Sequence, residues 1–193
     1  MMSRPTEEQI RAYSRSFVEW SESEFGFYVP TRWDNKRGRW VTHTAPVRWQ
    51  EFEREYLRWA LTVQEDGRLP VDLLCIIDIG QSGKTLKSAA IAQWVGMFIE
   101  PDPVVLVSPQ TVEQPDIIMA ANAETQAKVR CFSAMKKSVL MHPYSAELFD
   151  VGAYTVVFRN SGHVATPVPA KASTQAGTSA VLIMGSTGEV SML

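Results

Sequence analysis

The feature that most constrains the fold of this chain is a glycine-containing junction between an apolar run and a helix-forming run. The apolar run, Val71–Ile77, has the composition of a buried strand. The junction contains two glycines and ends in Gly83-Lys84-Thr85, and the alanine-rich run Ser88–Ala92 follows it. A strand, a glycine turn and a helix in this order predict a phosphate-binding P-loop.

Each residue type in this junction has a role in binding a phosphate chain. Glycines let backbone N–H groups approach the phosphates, and the new helix directs its positive end at the same anion. Lys84 is expected to reach the outer phosphates, and the Thr85 hydroxyl is expected to bind Mg²⁺. The usual pattern has glycine where this chain has Asp78, so Gly80 is expected to supply the flexibility. The residues predicted to bind the nucleotide are Gly80, Gln81, Ser82, Gly83, Lys84 and Thr85.

Composition limits the remaining possibilities. The 193 residues are 45% hydrophobic and 21% charged, which indicates one globular domain, or one domain with an appendage. The net charge of −2 gives no general support for nucleic-acid binding. No apolar run approaches the length that spans a membrane. Cys75 and Cys131 lie apart in apolar segments, so they are interpreted as reduced core residues rather than zinc ligands.

The chain has two compositional halves. Residues 1–70 hold five of the six tryptophans and are predicted to form a helical N-terminal segment on the adenine side. Residues 71–193 alternate strand-like and helix-like runs, which is typical of α/β proteins. We therefore predict a P-loop NTPase-type core in 71–193, with a mainly parallel sheet, flanking helices and an incomplete set of strands.

In the first half, Thr6 is a suitable N-cap for a helix that runs to about Glu22. The stretch from Glu24 to Thr42 is predicted to be irregular. A second helix is predicted to begin near Thr44 and Pro46. Its apolar face is predicted to comprise Trp49, Phe52, Tyr56 and Trp59.

In the second half, the P-loop helix is predicted from Lys84 to about Phe98. The Asn160-Ser161-Gly162 sequence predicts a β-hairpin turn. A long helix is predicted from about Asn122 to Leu140. Short strands are predicted at Val104–Val107, Ile117–Ala120 and Ala180–Met184.

Four stretches, in their order along the chain, resemble one known family. They are Phe17–Trp20 with Phe25–Pro30, Arg48-Trp49-Gln50, Ser82–Thr85 and Ala120–Ala127. Together they are similar to the N-terminal ATPase domain of tailed-phage terminase large subunits, the motors that package DNA. The resemblance covers roughly residues 14 to 190, and by itself only the P-loop is specific.

The resemblance implies that ATP, with Mg²⁺, is hydrolysed to drive double-stranded viral DNA through a portal into an empty procapsid. It also implies a terminase small subunit as partner, a homo-oligomeric ring and a location in the host bacterial cytoplasm. The nuclease domain that follows in full-length members is absent from these 193 residues. Gln50 would be the adenine-recognition glutamine of the family; its alternative interpretation is a polar residue on an amphipathic helix.

The sequence departs from the family at the acidic pair that a P-loop ATPase needs after an apolar strand. The strand Ala180–Met184 is followed by Gly185 and Ser186, so Glu189 is the candidate catalytic carboxylate beside Lys84. The alternative is that Glu189 is a surface residue of a disordered tail. The chain would then be a truncated or degenerate P-loop module that binds nucleotide weakly or not at all. An unrelated P-loop enzyme, such as a small kinase or a helicase piece, is a third interpretation.

Overall fold

A computed structural model describes residues 4–34, 39–71, 73–75, 83–99, 116–121, 131–169, 180–184 and 189–192. These residues form a mixed helix and strand fold. The helices are α1 Glu7–Arg15, α2 Phe17–Ser21, α3 Glu51–Ala60, α4 Lys84–Phe98, α5 Ser133–Met141 and α6 Ser145–Leu148. The strands are β1 Tyr28–Asp34, β2 Arg39–Pro46, β3 Leu73–Cys75, β4 Asp116–Ala121, β5 Phe149–Val151, β6 Val156–Phe158, β7 Val164–Pro169, β8 Ala180–Met184 and β9 Glu189–Met192.

The chain divides into two compact units. The first comprises Met1–Pro70 and Lys137–Ser145, and the second comprises Val71–Lys136 and Ala146–Leu193. The division at Pro70 falls where the composition of the sequence changes. The first unit also contains a β-hairpin, so it is not purely helical.

The N-terminal helix begins where the sequence predicts, but it is interrupted. Thr6 caps α1 because its Oγ1 accepts a hydrogen bond from Gln9 N–H at 3.2 Å. The prediction of one helix to Glu22 is wrong, since Ser16 is extended, with φ −136° and ψ 109°. Ser16 forms a β-bridge with Thr62, and Phe17 N–H donates to Leu61 O at 3.2 Å. This pairing with a distant segment ends α1 and starts α2, whose apolar side chains are buried.

The segment after α2 is more regular than its composition indicates. The stretch predicted to be irregular contains β1 and the first half of β2, and the two strands pair antiparallel with Tyr28 opposite Pro46. Their β-branched and aromatic residues favour strands despite the basic residues between them. The second helix therefore begins at Glu51, with Gln50 as N-cap, rather than near Thr44.

The predicted apolar face of α3 is also wrong. Phe52 and Trp59 are 64% and 66% exposed, whereas Glu53, Leu57 and Ala60 are buried. Those buried residues recur at spacings of four and three, which is the helical period. Trp49 is buried, but it precedes the helix and so does not define its face.

His142 is a buried member of an aromatic cluster in the first unit. Its ring lies 5.1 Å from Phe25 and 5.6 Å from Tyr28, measured between centroids, in edge-on geometry. Nδ1 accepts from Tyr144 N–H at 3.1 Å, so Nε2 carries the proton and donates to Phe25 O at 3.2 Å. Burial lowers the pKa of His142, which favours this neutral form. The imidazole is a packing residue here.

The second unit contains a seven-stranded sheet with the order β3-β9-β8-β4-β7-β6-β5. β4 runs parallel to β7 and β8, and the other four neighbouring pairs are antiparallel. The predicted mainly parallel sheet is therefore wrong: the sheet is mixed, with its parallel pairs in the centre. Short connections join β6 to β7 and β8 to β9, and such connections can only join antiparallel strands.

Several elements of the second unit match their predictions. α4 and β8 have the predicted bounds, and β4 covers the predicted strand at Ile117–Ala120. The predicted hairpin turn is confirmed: Phe158 N–H donates to His163 O at 2.9 Å, and Gly162 has φ +79°. α5 lies almost entirely within the predicted long helix. Residues 122–130 and the predicted strand Val104–Val107 lie outside the described residues.

Within the described residues, no helix has the length and apolar character needed to cross a membrane.

Candidate functional site

The junction predicted to bind phosphate ends in a glycine-capped helix. Gly83 is the N-cap of α4 and adopts the left-handed conformation, with φ +81° and ψ 13°. Glycine adopts this conformation without steric cost, which explains the residue type. Because Gly83 has no side chain, it cannot cap the first N–H groups of α4. Its carbonyl accepts from Leu86 and Lys87 N–H, both at 2.9 Å, which closes the first turn.

The two polar side chains predicted to contact the nucleotide lie on this first turn. Lys84 is half-buried and Thr85 is exposed, whereas α4 is buried from Lys87 to Met97. The accessible end of α4 thus combines an ammonium, a hydroxyl and the positive end of a 15-residue helix. This combination favours an anion such as a phosphate chain. Gly80, Gln81 and Ser82 lie outside the described residues, so their roles stay predictions.

Glu189 begins a strand rather than following the sheet as a tail. Its Cα pairs with Cys75, the last residue of β3, and Val190 pairs with Met184, the last residue of β8. β9 is antiparallel to both neighbours. Its first residue therefore lies beside the C-terminal ends of β3 and β8. The catalytic role of Glu189 stays a prediction.

Gln50, the predicted adenine reader, belongs to the first unit. It is exposed, and its N–H donates to Glu53 Oε2 at 2.8 Å. The neighbouring backbone is held by Glu22, whose Oε1 accepts from Trp49 N–H at 2.8 Å and from Arg54 Nε at 3.0 Å. These contacts fix the segment that carries Gln50. Recognition of adenine by Gln50 stays a prediction.

Glu22 and Arg54 are residues that the sequence did not single out. They form an ion pair across 32 positions of the chain. Their side chains are only 14% and 30% exposed, respectively. A pair this far apart leaves no spacing signal in a single sequence. Both residues belong to helical segments that would otherwise be interpreted as solvated faces.

A Mg²⁺ ion at the Thr85 hydroxyl would fit the oxygen ligands that this ion prefers. The remaining ligands would come from nucleotide phosphates and water. Among the residues that the structure describes, no group of three or more His, Cys, Asp or Glu side chains could hold a metal ion by itself.

The fold is similar to that of a solved large terminase. The match is to the large terminase of bacteriophage HK97, with a TM-score of 0.60 and 19% sequence identity. It covers 88% of this chain and 30% of the terminase chain, so the chain spans about a third of that protein's length. No protein-family model and no curated protein sequence matches the chain. The resemblance seen in the sequence is thus confirmed at the level of the fold.

Proposed function

We propose that this chain is a nucleotide-binding motor domain of the terminase large-subunit type. It binds ATP with Mg²⁺ and hydrolyses the nucleotide to drive the packaging of viral DNA. The observation that carries the proposal is the left-handed Gly83 at the start of α4, with Lys84 and Thr85 on its first turn. The terminase-like fold of the chain supports the same interpretation.

The residues of the α4 N-terminus would have distinct roles. The Lys84 ammonium would neutralise charge on the outer phosphates, and the first-turn N–H groups would donate hydrogen bonds to phosphate oxygens. Thr85 would supply one oxygen ligand to Mg²⁺, which would offset the negative charge of the phosphates. These side chains bind and orient the phosphates; an acidic residue must position the attacking water.

Glu189 is the proposed acidic residue. The backbone register supports this proposal, because it pairs Glu189 with Cys75, the last residue of β3. A carboxylate at this end of β3 could orient water toward the terminal phosphate. The whole assembly is proposed to work in the host bacterial cytoplasm on double-stranded viral DNA. Its proposed partners are a terminase small subunit, the portal of the procapsid and further copies in a ring.

A second candidate function is a P-loop module that binds nucleotide without hydrolysing it. One sequence observation favours it: Gly185 and Ser186 follow β8 where the acidic pair is expected. The two candidates agree on binding and differ on turnover. Binding and turnover are therefore tested separately.

We expect MgATP to raise the melting temperature of the chain, and Lys84→Ala to abolish this rise. Ligand at 100 times Kd adds about 2.7 kcal/mol to the free energy of unfolding. That corresponds to about 8 °C for a chain of this size. Differential scanning fluorimetry with and without millimolar MgATP measures the rise. Lys137→Ala, an exposed lysine on another helix, is the matched control and should retain it. No rise in the wild-type chain would overturn the proposed binding.

We expect purified chain to release inorganic phosphate from MgATP steadily, and Glu189→Gln to stop this release while binding persists. The substitution keeps the shape of the side chain and removes the carboxylate that orients water. A continuous phosphate assay, with and without double-stranded DNA, measures turnover. Asp150→Asn, an exposed acidic residue in β5, is the control. Binding without turnover in the wild-type chain would favour the second candidate.

A further inference from the structure

The outer side of α3 carries two large aromatic side chains. Phe52 and Trp59 are 64% and 66% exposed. They are seven residues apart, which is close to two helical turns, so both rings project from one side of the helix. We call this surface the aromatic face of α3. Burial of apolar surface drives most protein association, and a shared face of two exposed rings indicates a docking surface.

The other side of α3 is fixed to the first unit, which keeps the aromatic face outward. Glu53, Leu57 and Ala60 are buried on that side. Arg54 Nε donates to Glu22 Oε1 at 3.0 Å and ties the helix to the segment that follows α2. Rotating α3 to bury its two outer rings would expose Leu57 and break this ion pair. The aromatic face is therefore covered only when another molecule packs against it.

Two charged side chains of opposite sign lie beside the aromatic face. Glu55 follows Phe52 by three residues and Arg58 precedes Trp59 by one, so both lie on the same side of the rings. Both are exposed, and among the residues that the structure describes neither is in an ion pair. From its N-terminal end the helix thus presents a ring, an acid, a base and a second ring. This order is complementary to itself when a second copy runs in the opposite direction.

We propose that the aromatic face of α3 is an interface between two copies of this chain, with the two α3 helices antiparallel. Phe52 packs against the partner's Trp59, and Glu55 lies beside the partner's Arg58. A two-fold axis brings the same sides of the two helices together and repeats each contact. Such a contact closes at two copies, so it differs from the head-to-tail contact that a ring requires. The inference does not rest on the proposed function.

The size of the aromatic face sets the strength of this association. An aromatic side chain buries about 150–250 Å², whereas a standard interface buries about 800 Å² of each partner. Two rings on each copy therefore make a small interface. We expect a Kd on the order of 10 μM, so the chain is mainly monomeric in dilute solution and pairs as its concentration rises.

Sedimentation velocity between about 1 and about 300 μM measures the pairing. We expect the sedimentation coefficient of the wild-type chain to rise with concentration, and Phe52→Ser or Trp59→Ser to weaken the association at least about tenfold. Ile10→Ser is the matched control, because Ile10 is an exposed apolar residue of α1, and it should associate like wild type. Circular dichroism of the dilute variants should match that of wild type. A wild-type chain that stays monomeric, or aromatic variants that still associate, would overturn the proposal.

Charge reversal tests the antiparallel arrangement. Glu55→Arg and Arg58→Glu should each weaken self-association about tenfold, because each places like charges opposite each other twice in a pair. An equimolar mixture of the two variants should associate like wild type, since opposite charges then meet at both places. Glu65→Arg, an exposed glutamate outside α3, is the control and should have no effect. A mixture that associates no better than either variant alone would overturn the proposal.

Discussion

Replacing Gly26 by alanine is expected to lower the free energy of unfolding of the first unit by about 3 kcal/mol. A Cβ at this position would lie 2.2 Å from Trp20 O and 2.4 Å from Ser21 O. Both atoms belong to the backbone of α2, so no flexible side chain can move aside. The backbone itself must shift, and the hydrogen bonds of this turn shift with it.

The turn around Gly26 has little freedom to absorb such a shift. Trp20 O accepts from Ser23 N–H at 3.0 Å and from Ser23 Oγ at 2.7 Å. Phe27 N–H donates to Ser21 O at 3.1 Å, and the Phe27 side chain is fully buried. Moving α2 away from Gly26 would disturb these bonds together. The loss should also reach Glu22, which lies within the turn and holds the Gln50 segment through Trp49.

Urea unfolding followed by tryptophan fluorescence measures the Gly26→Ala effect, because five of the six tryptophans lie in residues 1–70. Gly67→Ala is the matched control in the same unit. Gly67 has φ +82°, and no heavy atom lies within 4 Å of its added Cβ. It should cost only about 1 kcal/mol, from backbone strain. Equal losses in the two variants would contradict the steric explanation.

The sequence predicted the parts of the fold whose signals are local. α4 has its predicted bounds because a glycine cap, an alanine-rich run and a following Pro101 all lie within one segment. The turn at Asn160-Ser161-Gly162 was found for the same reason. Positive φ at Gly162 is a property of one residue and its neighbours. Lys84 and Thr85 could be proposed as site residues because their chemistry depends on position within one short motif, and that role stays a prediction.

Predictions from the sequence were wrong where contacts with distant segments determine the conformation. Ser16 is extended because it pairs with Thr62, and no residue near Ser16 in the sequence indicates this pairing. The face of α3 was misassigned because two sets of its residues follow the helical period. Phe52, Tyr56 and Trp59 form the more aromatic set, but the buried set is Glu53, Leu57 and Ala60. Tertiary packing, which the sequence of the helix does not contain, decides between them.

The sheet and the candidate site show the same contrast between features with a local sequence signal and features that depend on distant contacts. Strand-like and helix-like runs alternate in the second half, which favoured parallel pairing, but two hairpins add antiparallel strands at both sides of the parallel centre. His163 had no motif to mark it, since its contact with Ile99 O depends on the packing of a turn against a helix. Lys84 could be proposed from one short motif, whereas the contact of His163 left no such signal in the sequence.

Replacing Gln93 by methionine is expected to raise the free energy of unfolding by about 2 kcal/mol. Gln93 is fully buried in α4, and within the part of the chain that the structure describes neither its Nε2 nor its Oε1 has a hydrogen-bond partner. Each buried polar atom without a partner loses its hydration and gains nothing in return. Methionine has a similar length and helix propensity, and its thioether adapts to irregular spaces. The substitution therefore removes the desolvation cost with little change of shape.

Thermal unfolding should show the Gln93→Met gain as a melting temperature about 6 °C higher. Gln93→Glu is the matched control with the opposite expected effect. It keeps the shape of the side chain but places an ionisable group in the same buried position, so it should destabilise the chain strongly. A lower melting temperature for Gln93→Met would mean that the amide has a partner in solution.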